Sequence, residues 1–294
     1  MRQNILIKKL DKATIVNFLL LLIFLLISNC SDYKKVKIIS LNIRCENKND
    51  GINNWNNRKT NLASFLRTET PDIICMQEVV LSQLKFIKTL LPKYHGVGVG
   101  RNDGKDDGEH TPIFFDTTKF VMVNYGNFWL SETPNKAGAI GWDAKYPRIA
   151  TWVHLKNKSN NKSFVVLNTH LDNVGVEARR KGMNLILDSV EHFIQKIPVI
   201  ITGDFNADQN SDTYKIAIGG KYPLHDAFTT AKTRLGVEYS FHNFGKNAEN
   251  KRKRIDHVFV NNMVKILKMD IPKENDSTGS FLSDHNPIIT YLMF

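Results

Sequence analysis

The chain offers little sulfur chemistry: three cysteines, Cys30, Cys45 and Cys75, among 294 residues. Cys30 stands at the end of an apolar leader, so two thiols remain for the folded body. That is too few for a disulfide-built scaffold, and it leaves no cysteine cluster to hold a soft metal. Cys45 and Cys75 lie near the ends of apolar stretches and read as two buried free thiols. There is no internal repeat, which argues against a solenoid, and no composition break that marks a second domain. Acids are in deficit, 29 against 40 basic residues, for a net charge of +11. Arg2, Lys8, Lys9 and Lys12 against Asp11 precede Cys30, a net +3 that leaves +8 for the rest. Such an excess favours polyanions: nucleic acid, anionic lipid headgroups or phosphorylated small molecules. A hydrophobic fraction of 42% places the chain among globular proteins with enough residues for a sizeable core.

The longest apolar run, Ile15 to Ile27, is broken only by Asn17. It follows Arg2, Lys8 and Lys9, and it is too short to span a bilayer comfortably, which fits a signal h-region. It ends in Leu26-Ile27-Ser28-Asn29-Cys30. This resembles a bacterial lipoprotein signal, although Asn29 replaces the small residue usual before the cysteine. The resemblance implies that residues 1–29 are a signal peptide, that Cys30 is lipidated, and that residues 30–35 form a tether. It implies an exported, membrane-anchored lipoprotein; an ordinary secretory signal, giving a secreted or periplasmic protein, is the alternative. No protein partner is inferred.

Downstream, apolar patterning predicts strands at Val36–Asn42, Asp72–Glu78, Ile149–Leu155, Ser163–Asn168, Ile255–Val260 and Ile288–Leu292. Helical spacing covers Asn56–Arg67, Leu81–Leu91, Val176–Gln195 and, more briefly, Asp212–Ile218. Thr111–Asn124 reads as a hairpin turning at Asp116–Lys119. Trp129 to Tyr146 is a long loop, of the kind that usually carries function. The centre of the pattern is Pro198-Val199-Ile200-Ile201-Thr202-Gly203-Asp204-Phe205-Asn206. This is a buried strand that releases Asp204 and Asn206 with the same parity, so both can face one pocket. Strands and helices that alternate, with hairpins among them, predict a layered α/β domain with mixed sheets.

Polar groups gather at the strand ends: Asn42, Glu78, Thr169-His170, Asp204 and Asn206, Asp256-His257, and Ser283-Asp284-His285. In α/β sheets, sites form beyond the carboxyl ends of strands. The ligand set is nearly all oxygen, which suits magnesium, manganese or calcium rather than zinc. Histidines beside carboxylates add acid–base chemistry. His192, His225, His242 and His257 read as surface, core or flanking histidines. The run Lys251-Arg252-Lys253-Arg254 reads as a solvated loop that could meet substrate phosphates or anionic headgroups.

Taken in order, Ser40-Leu41-Asn42, Gln77-Glu78-Val79, Asn168-Thr169-His170, Gly203-Asp204-Phe205-Asn206, Arg254-Ile255-Asp256-His257 and Ser283-Asp284-His285-Asn286-Pro287 resemble the endonuclease/exonuclease/phosphatase superfamily of divalent-metal phosphoesterases. The resemblance covers Val36 to Phe294. It implies a fold of two mixed, mainly antiparallel sheets packed face to face and flanked by helices, in four layers. It also implies that Asn42, Glu78 and Asp284 hold Mg2+ or Mn2+. By the same likeness Asp204 activates water, Asn206 holds a phosphate oxygen, Asp256 orients His285, and His170 faces the scissile phosphate. Glu109 resembles the carboxylate that pairs with the first histidine in pancreatic-type deoxyribonucleases, and Arg148 a phosphate-contacting arginine of that group. Asn168 and Arg101 are grouped with Arg148 on the phosphate side. The Gly100–Gly104 loop is similar to that of poly(A)-shortening exonucleases. The implied activity is phosphodiester hydrolysis, most simply of nucleic acid by an endonuclease or 3′–5′ exonuclease. A sphingomyelinase-like or small-molecule phosphoesterase is the alternative, and a non-catalytic surface-binding lipoprotein is the rival from another class.

Overall fold

The computed structural model describes residues 35–273 and 281–294. The expected signal peptide, Cys30 and the tether through Lys34 lie outside the described residues. Lys35 already belongs to the first strand.

Seven strands build the first sheet: β1 (Lys35–Asn42), β2 (Ile73–Gln77), β3 (Tyr94–Val97), β4 (Ile113–Asp116), β10 (Thr233–Gly236), β12 (Lys265–Ile271) and β13 (Ile288–Met293). Six build the second: β5 (Phe120–Trp129), β6 (Ile149–Asn157), β7 (Ser163–His170), β8 (Val199–Asp204), β9 (His225–Asp226) and β11 (Asp256–Val260). Parallel pairs β1–β2, β10–β12 and β7–β8 sit among antiparallel neighbours, so both sheets are mixed. The strand alternation of side chains explains the layering. Ile38, Ile73 and Cys75 meet Leu155, Val166, Ile200 and Val258 between the sheets. Their neighbours Ile39, Leu41, Ile74 and Met76 face outward onto α1 (Trp55–Glu69) and α2 (Leu81–Leu90). On the other side, Val165, Leu167, Val199 and Ile201 pack against α3 (Val176–Ile194) and α4 (Asp212–Gly219). The result is the four-layered sandwich that the sequence implies. The two cysteines are free thiols; Cys75 is buried and Cys45 half-buried.

Three local expectations change. The predicted hairpin at Thr111–Asn124 is a crossover between sheets, because β4 pairs with β2 and β3 while β5 pairs with β6. The turn is an Asx turn, Asp116 accepting from the backbone N–H and hydroxyl of Thr118, and such a turn does not dictate that its flanks pair. Strand β3 was hidden by its glycine and histidine content. Strand β12 was hidden by its charges and by a bulge between Ile266 and Lys268 that breaks the period of two.

The topology fixes where the site lies. β1 and β2 run parallel and end at Asn42 and Gln77, while β7 and β8 run parallel and end at His170 and Asp204. β11 begins antiparallel to β8, with Asp256 opposite Asp204. All these termini fall at one end of the sandwich. Gly203 makes that convergence possible: a Cβ there would stand 2.0 Å from the Thr169 carbonyl oxygen.

Candidate active site

At that end a pocket of about 520 Å³ opens between the two sheets. It is lined by Glu78, Asp284 and Arg44 from the first sheet and its loops, and by His170, Asp204 and Asn206 from the second. Arg101, Glu109, Tyr146 and Arg148 close one side.

Asp204 is 2% exposed and forms the base. Its Oδ1 accepts the Asn206 backbone N–H at 2.9 Å, and its Oδ2 accepts the Asn42 side-chain N–H at 3.0 Å. Asn206 therefore closes an Asx turn, with φ at +47°. The turn and the shared pocket are one feature: the left-handed residue swings the Asn206 amide to His170 Nε2 at 3.1 Å and the Leu171 carbonyl at 3.0 Å. Glu78 and Arg44 also hold positive φ, +60° and +58°. Non-glycine residues rarely adopt this region, and strain of this kind collects at functional sites.

His285 is buried, with Nδ1 2.7 Å from Asp256 Oδ2 and Nε2 3.7 Å from Asp204 Oδ2. Burial alone would lower its affinity for a proton, but Asp256 first, then Asp204 and Asp284, raise its pKa to about 10. His285 is thus an imidazolium at neutral pH, donating toward carboxylates on both sides. Asp204 moves the other way from an ordinary carboxyl, up to about 7, through burial and the charge of Asp256. His170 has its pKa pushed well below the ordinary value by burial and by Arg148. It is neutral, so Nε2 accepts from Asn206 and Nδ1 carries the proton. Its Nδ1 lies 3.8 Å from Glu109, too far for a hydrogen bond. Glu109 instead holds Arg101 at 2.6 Å.

Two groupings of acids invite a cation. Asp204, Asp256 and His285 bring ligand atoms within 4.8 Å of one another. There the imidazolium already supplies the positive charge, and a protonated ring has no lone pair for a metal. Glu78 and Asp284 form the other. Burial, with the charge of Glu78, raises the Asp284 pKa, whereas hydrogen bonds from the Asn42 amide and the Cys45 N–H favour the ionised form of Glu78 against its burial. Arg44 stands 3.9 Å from Glu78 and 4.0 Å from Asp284. A crowded pair of hard oxygen donors fits a divalent cation of the magnesium or manganese kind.

Two residues expected at the centre lie otherwise. Asn42 presents its amide N–H groups to Glu78 and Asp204, while its oxygen accepts the Arg44 N–H at 2.9 Å. It orients the carboxylates rather than offering an oxygen to a cation. Asn168 does not reach the pocket at all. It donates to the carbonyls of Met76 and Pro112 and accepts from Gln77 at 2.7 Å. Fully buried and bonded at both ends, it ties the two sheets together and cannot touch a phosphate.

Arg148 is buried and Arg101 half-buried. Arg148 donates to Asp172 at 3.2 Å and Asn173 at 3.0 Å, and its Nη1 finds no acceptor among the described residues. Arg101 Nε is likewise without an acceptor. Each such donor is left with a hydrogen bond unmade. Arg44, Tyr146 and Asn173 also line the pocket and carried no site assignment from sequence. Nothing marked Arg44. Asn173 follows the flagged histidine by three residues, and Tyr146 closes the loop whose length was itself a signal.

The basic run Lys251–Arg254 divides. Lys251 and Lys253 are exposed, whereas Arg254 turns inward to Asp226 at 2.9 Å. Arg254 also meets His257 Nδ1 at 2.7 Å, and His257 Nε2 donates to the Ala207 carbonyl at 2.8 Å. Burial and Arg254 lower the His257 pKa to about 4. Burial and His285 do the same for His242. Because both bind a proton less readily folded than unfolded, the contribution of each to stability should rise with pH between about 4 and 6.5, opposite in sign to that of Asp204. That contribution should be lost as pH falls through the window, by about 3 kcal/mol for a histidine as buried as His257. Denaturant titrations of the parent and of His257→Gln at pH 7 and pH 4.5 check this: the difference between the two proteins should shrink at the lower pH.

A model of the Endonuclease/Exonuclease/phosphatase family matches residues 39–285. A solved endonuclease/exonuclease/phosphatase from Bacteroides vulgatus is 39% identical, with a TM-score of 0.85, over 88% of this chain and 98% of that one. A mannosyl-6-phosphatase of Bacteroides thetaiotaomicron is 35% identical, with a TM-score of 0.82, over 88% of this chain and 100% of its own. The 3'-5'-exoribonuclease subunit of the CCR4-Not complex of Emericella nidulans is 26% identical over 165 residues, 47% of this chain and 24% of that protein. The chain spans about half the length of the mammalian nocturnins it also matches.

Proposed function

Because the chain belongs to the endonuclease/exonuclease/phosphatase family, we propose that it is a phosphoesterase dependent on magnesium or manganese, and that its substrate is a compact phosphorylated molecule of the sugar-phosphate class. The observation that carries the reading is the pocket. Arg101 and Arg148 line it together with Asp204, His285 and His170. A phosphate seated against them would bring its phosphorus over the Asp204–His285 base. Glu78 and Asp284 would hold the cation, which would supply positive charge against the charge developing on the phosphoryl oxygens.

The chain's own groups then divide the work. Asp204, with a pKa near 7, accepts a proton from the attacking water. His285 keeps its proton through Asp256 and faces the reacting centre as a cation. Asn206 and neutral His170, bonded to each other, line the pocket wall beside the phosphoryl group. A volume of about 520 Å³ suits a monosaccharide phosphate better than a helical polymer. Likeness over the full length of a sugar phosphatase supports the same class.

A nucleic-acid substrate is the second reading. It is supported by the exoribonuclease relative and by exposed Lys251 and Lys253 at the site end.

One experiment separates them. The full chain is assayed with Mg2+, Mn2+ or chelator on hexose 6-phosphates, single-stranded RNA, duplex DNA and a bis-aryl phosphodiester. Chelator-sensitive phosphate release from a sugar phosphate, with RNA and DNA intact, is expected. Cleavage of RNA alone would move the substrate to the second reading. In parallel, Glu78→Gln should weaken Mn2+ binding by about tenfold or more, read by calorimetry; unchanged binding would remove the metal assignment.

A further inference from the structure

The end of the sandwich opposite the pocket has its own character. β1 enters the domain at Lys35 and reaches the site at Asn42, so the two ends lie roughly 23 Å apart. The strand register gathers basic side chains at the entry end. Lys35 and Lys265 both stand opposite Met293. The Lys93 carbonyl bonds the Thr117 N–H, the Thr117 carbonyl accepts from the Lys158 ammonium, and the Lys158 N–H bonds the Lys119 carbonyl. Lys35, Arg67, Lys93, Lys119, Lys158 and Lys265 are all exposed. Two nearby acids are engaged by cations, Glu69 by Lys37 and Asp72 by Lys119, and Asp116 accepts from Thr118.

Within this basic end lies a groove of about 400 Å³ between the C-terminal turns of α1 and α2. Its floor is Ala63, Leu66, Leu90, Leu91 and Tyr94, and its rim carries Arg67, Lys93 and Lys119, three cations against the one carboxylate of Asp116. Apolar floor and cationic rim together match the boundary of an anionic bilayer, where acyl chains lie beneath phosphates. The chain enters at this same end, at Lys35, and the sequence just upstream contains the apolar run Ile15–Ile27.

We propose that this basic end is a docking face for an anionic lipid bilayer, holding the catalytic pocket at the far end, open to solution. The proposal does not depend on the substrate reading, but it has a consequence for it. A pocket turned about 23 Å away from the bilayer meets soluble phosphate esters and not the headgroups of the membrane on which it sits. The run Lys251–Lys253 lies at the site end and plays no part in docking.

The test is a lysine footprint on the full chain. The protein is added to vesicles of phosphatidylcholine, with or without phosphatidylglycerol, then acylated briefly with an amine-reactive reagent and mapped by mass spectrometry. Lys93, Lys119 and Lys158 should label about fivefold or more slowly on the anionic vesicles, since each basic residue near such a surface contributes about that factor to partitioning. Lys246 and Lys251 should label equally on both, and 0.5 M salt should abolish the difference. Equal labelling at both ends, protection of Lys246 and Lys251 instead, or no association with anionic vesicles would each overturn the proposal. Lys93→Glu with Lys158→Glu replaces exposed residues only; it should lose the protection at Lys119 while hydrolysis of a soluble ester is unchanged.

Discussion

Asp204→Asn is expected to lower kcat by about three orders of magnitude while moving the melting temperature by a few degrees at most. The change is isosteric, and one of the two hydrogen bonds to the carboxylate survives it. One oxygen still accepts the Asn206 N–H, and the Leu171 and His170 bonds of Asn206 are untouched. The new amide faces the Asn42 amide at one position, which costs about one hydrogen bond. Against that, a buried charge beside Asp256 is removed, and burial with Asp256 already makes Asp204 reluctant to ionise. Stability therefore changes little. Chemistry changes greatly, because the carboxylate bonded to both Asn42 and the Asn206 turn can no longer take a proton. His285→Asn should cost a similar factor, and the double variant little more than either alone, since the adjacent base and cation serve one step as a unit. Activity of the single Asp204 variant within tenfold of the parent would remove Asp204 from the reaction.

The sequence made this site readable because the chemistry sits where strands end. Apolar runs of even parity stop at Asn42, Glu78, His170 and Asp204, and parallel pairing of β1 with β2 and β7 with β8 brings those stops together. What could not be read is what each side chain does once there. Asn42 and Asn168 look alike in sequence, each a polar residue closing an apolar strand. Only tertiary structure shows one holding two carboxylates and the other stitching sheet to sheet. Arg44 is silent for a related reason. It reaches the pocket by a left-handed turn after β1, and a conformation rare for arginine has no signature in composition. The fold was legible where alternation was clean and lost where it was not. β12 hides behind a bulge, and the Asp116 turn carries every mark of a hairpin while joining two different sheets. Arg254 was misplaced among solvated lysines because a run of four basic residues gives no hint that the last points inward.

That inward turn sets up the second large effect, on stability. Asp226→Ala should destabilise the fold by about 3–5 kcal/mol, because it strands Arg254 without its partner. Arg254 is 4% exposed and Asp226 2% exposed. The guanidinium donates to the carboxylate at 2.9 and 3.3 Å, and Tyr214 adds its hydroxyl at 2.8 Å. The Arg254 guanidinium also lies over the Phe228 ring, 4.4 Å from its centre, so it has no route to water. Removing Asp226 leaves a desolvated cation and an unpaired tyrosine hydroxyl, and it also uncaps the turn at Phe228. The damage should run further, since Arg254 holds His257 and His257 holds the Ala207 carbonyl, one residue beyond Asn206. Denaturant unfolding measures the loss, and a drop below 1 kcal/mol would show that the pair is dispensable. Replacing both partners, Asp226→Leu with Arg254→Met, should restore part of the stability, as apolar pairs of similar volume often match a buried ion pair. It should not restore rate, because neither new side chain can hold His257. Stability that recovers without activity would place the network's value in positioning the Asn206 turn; recovery of both would confine its role to packing.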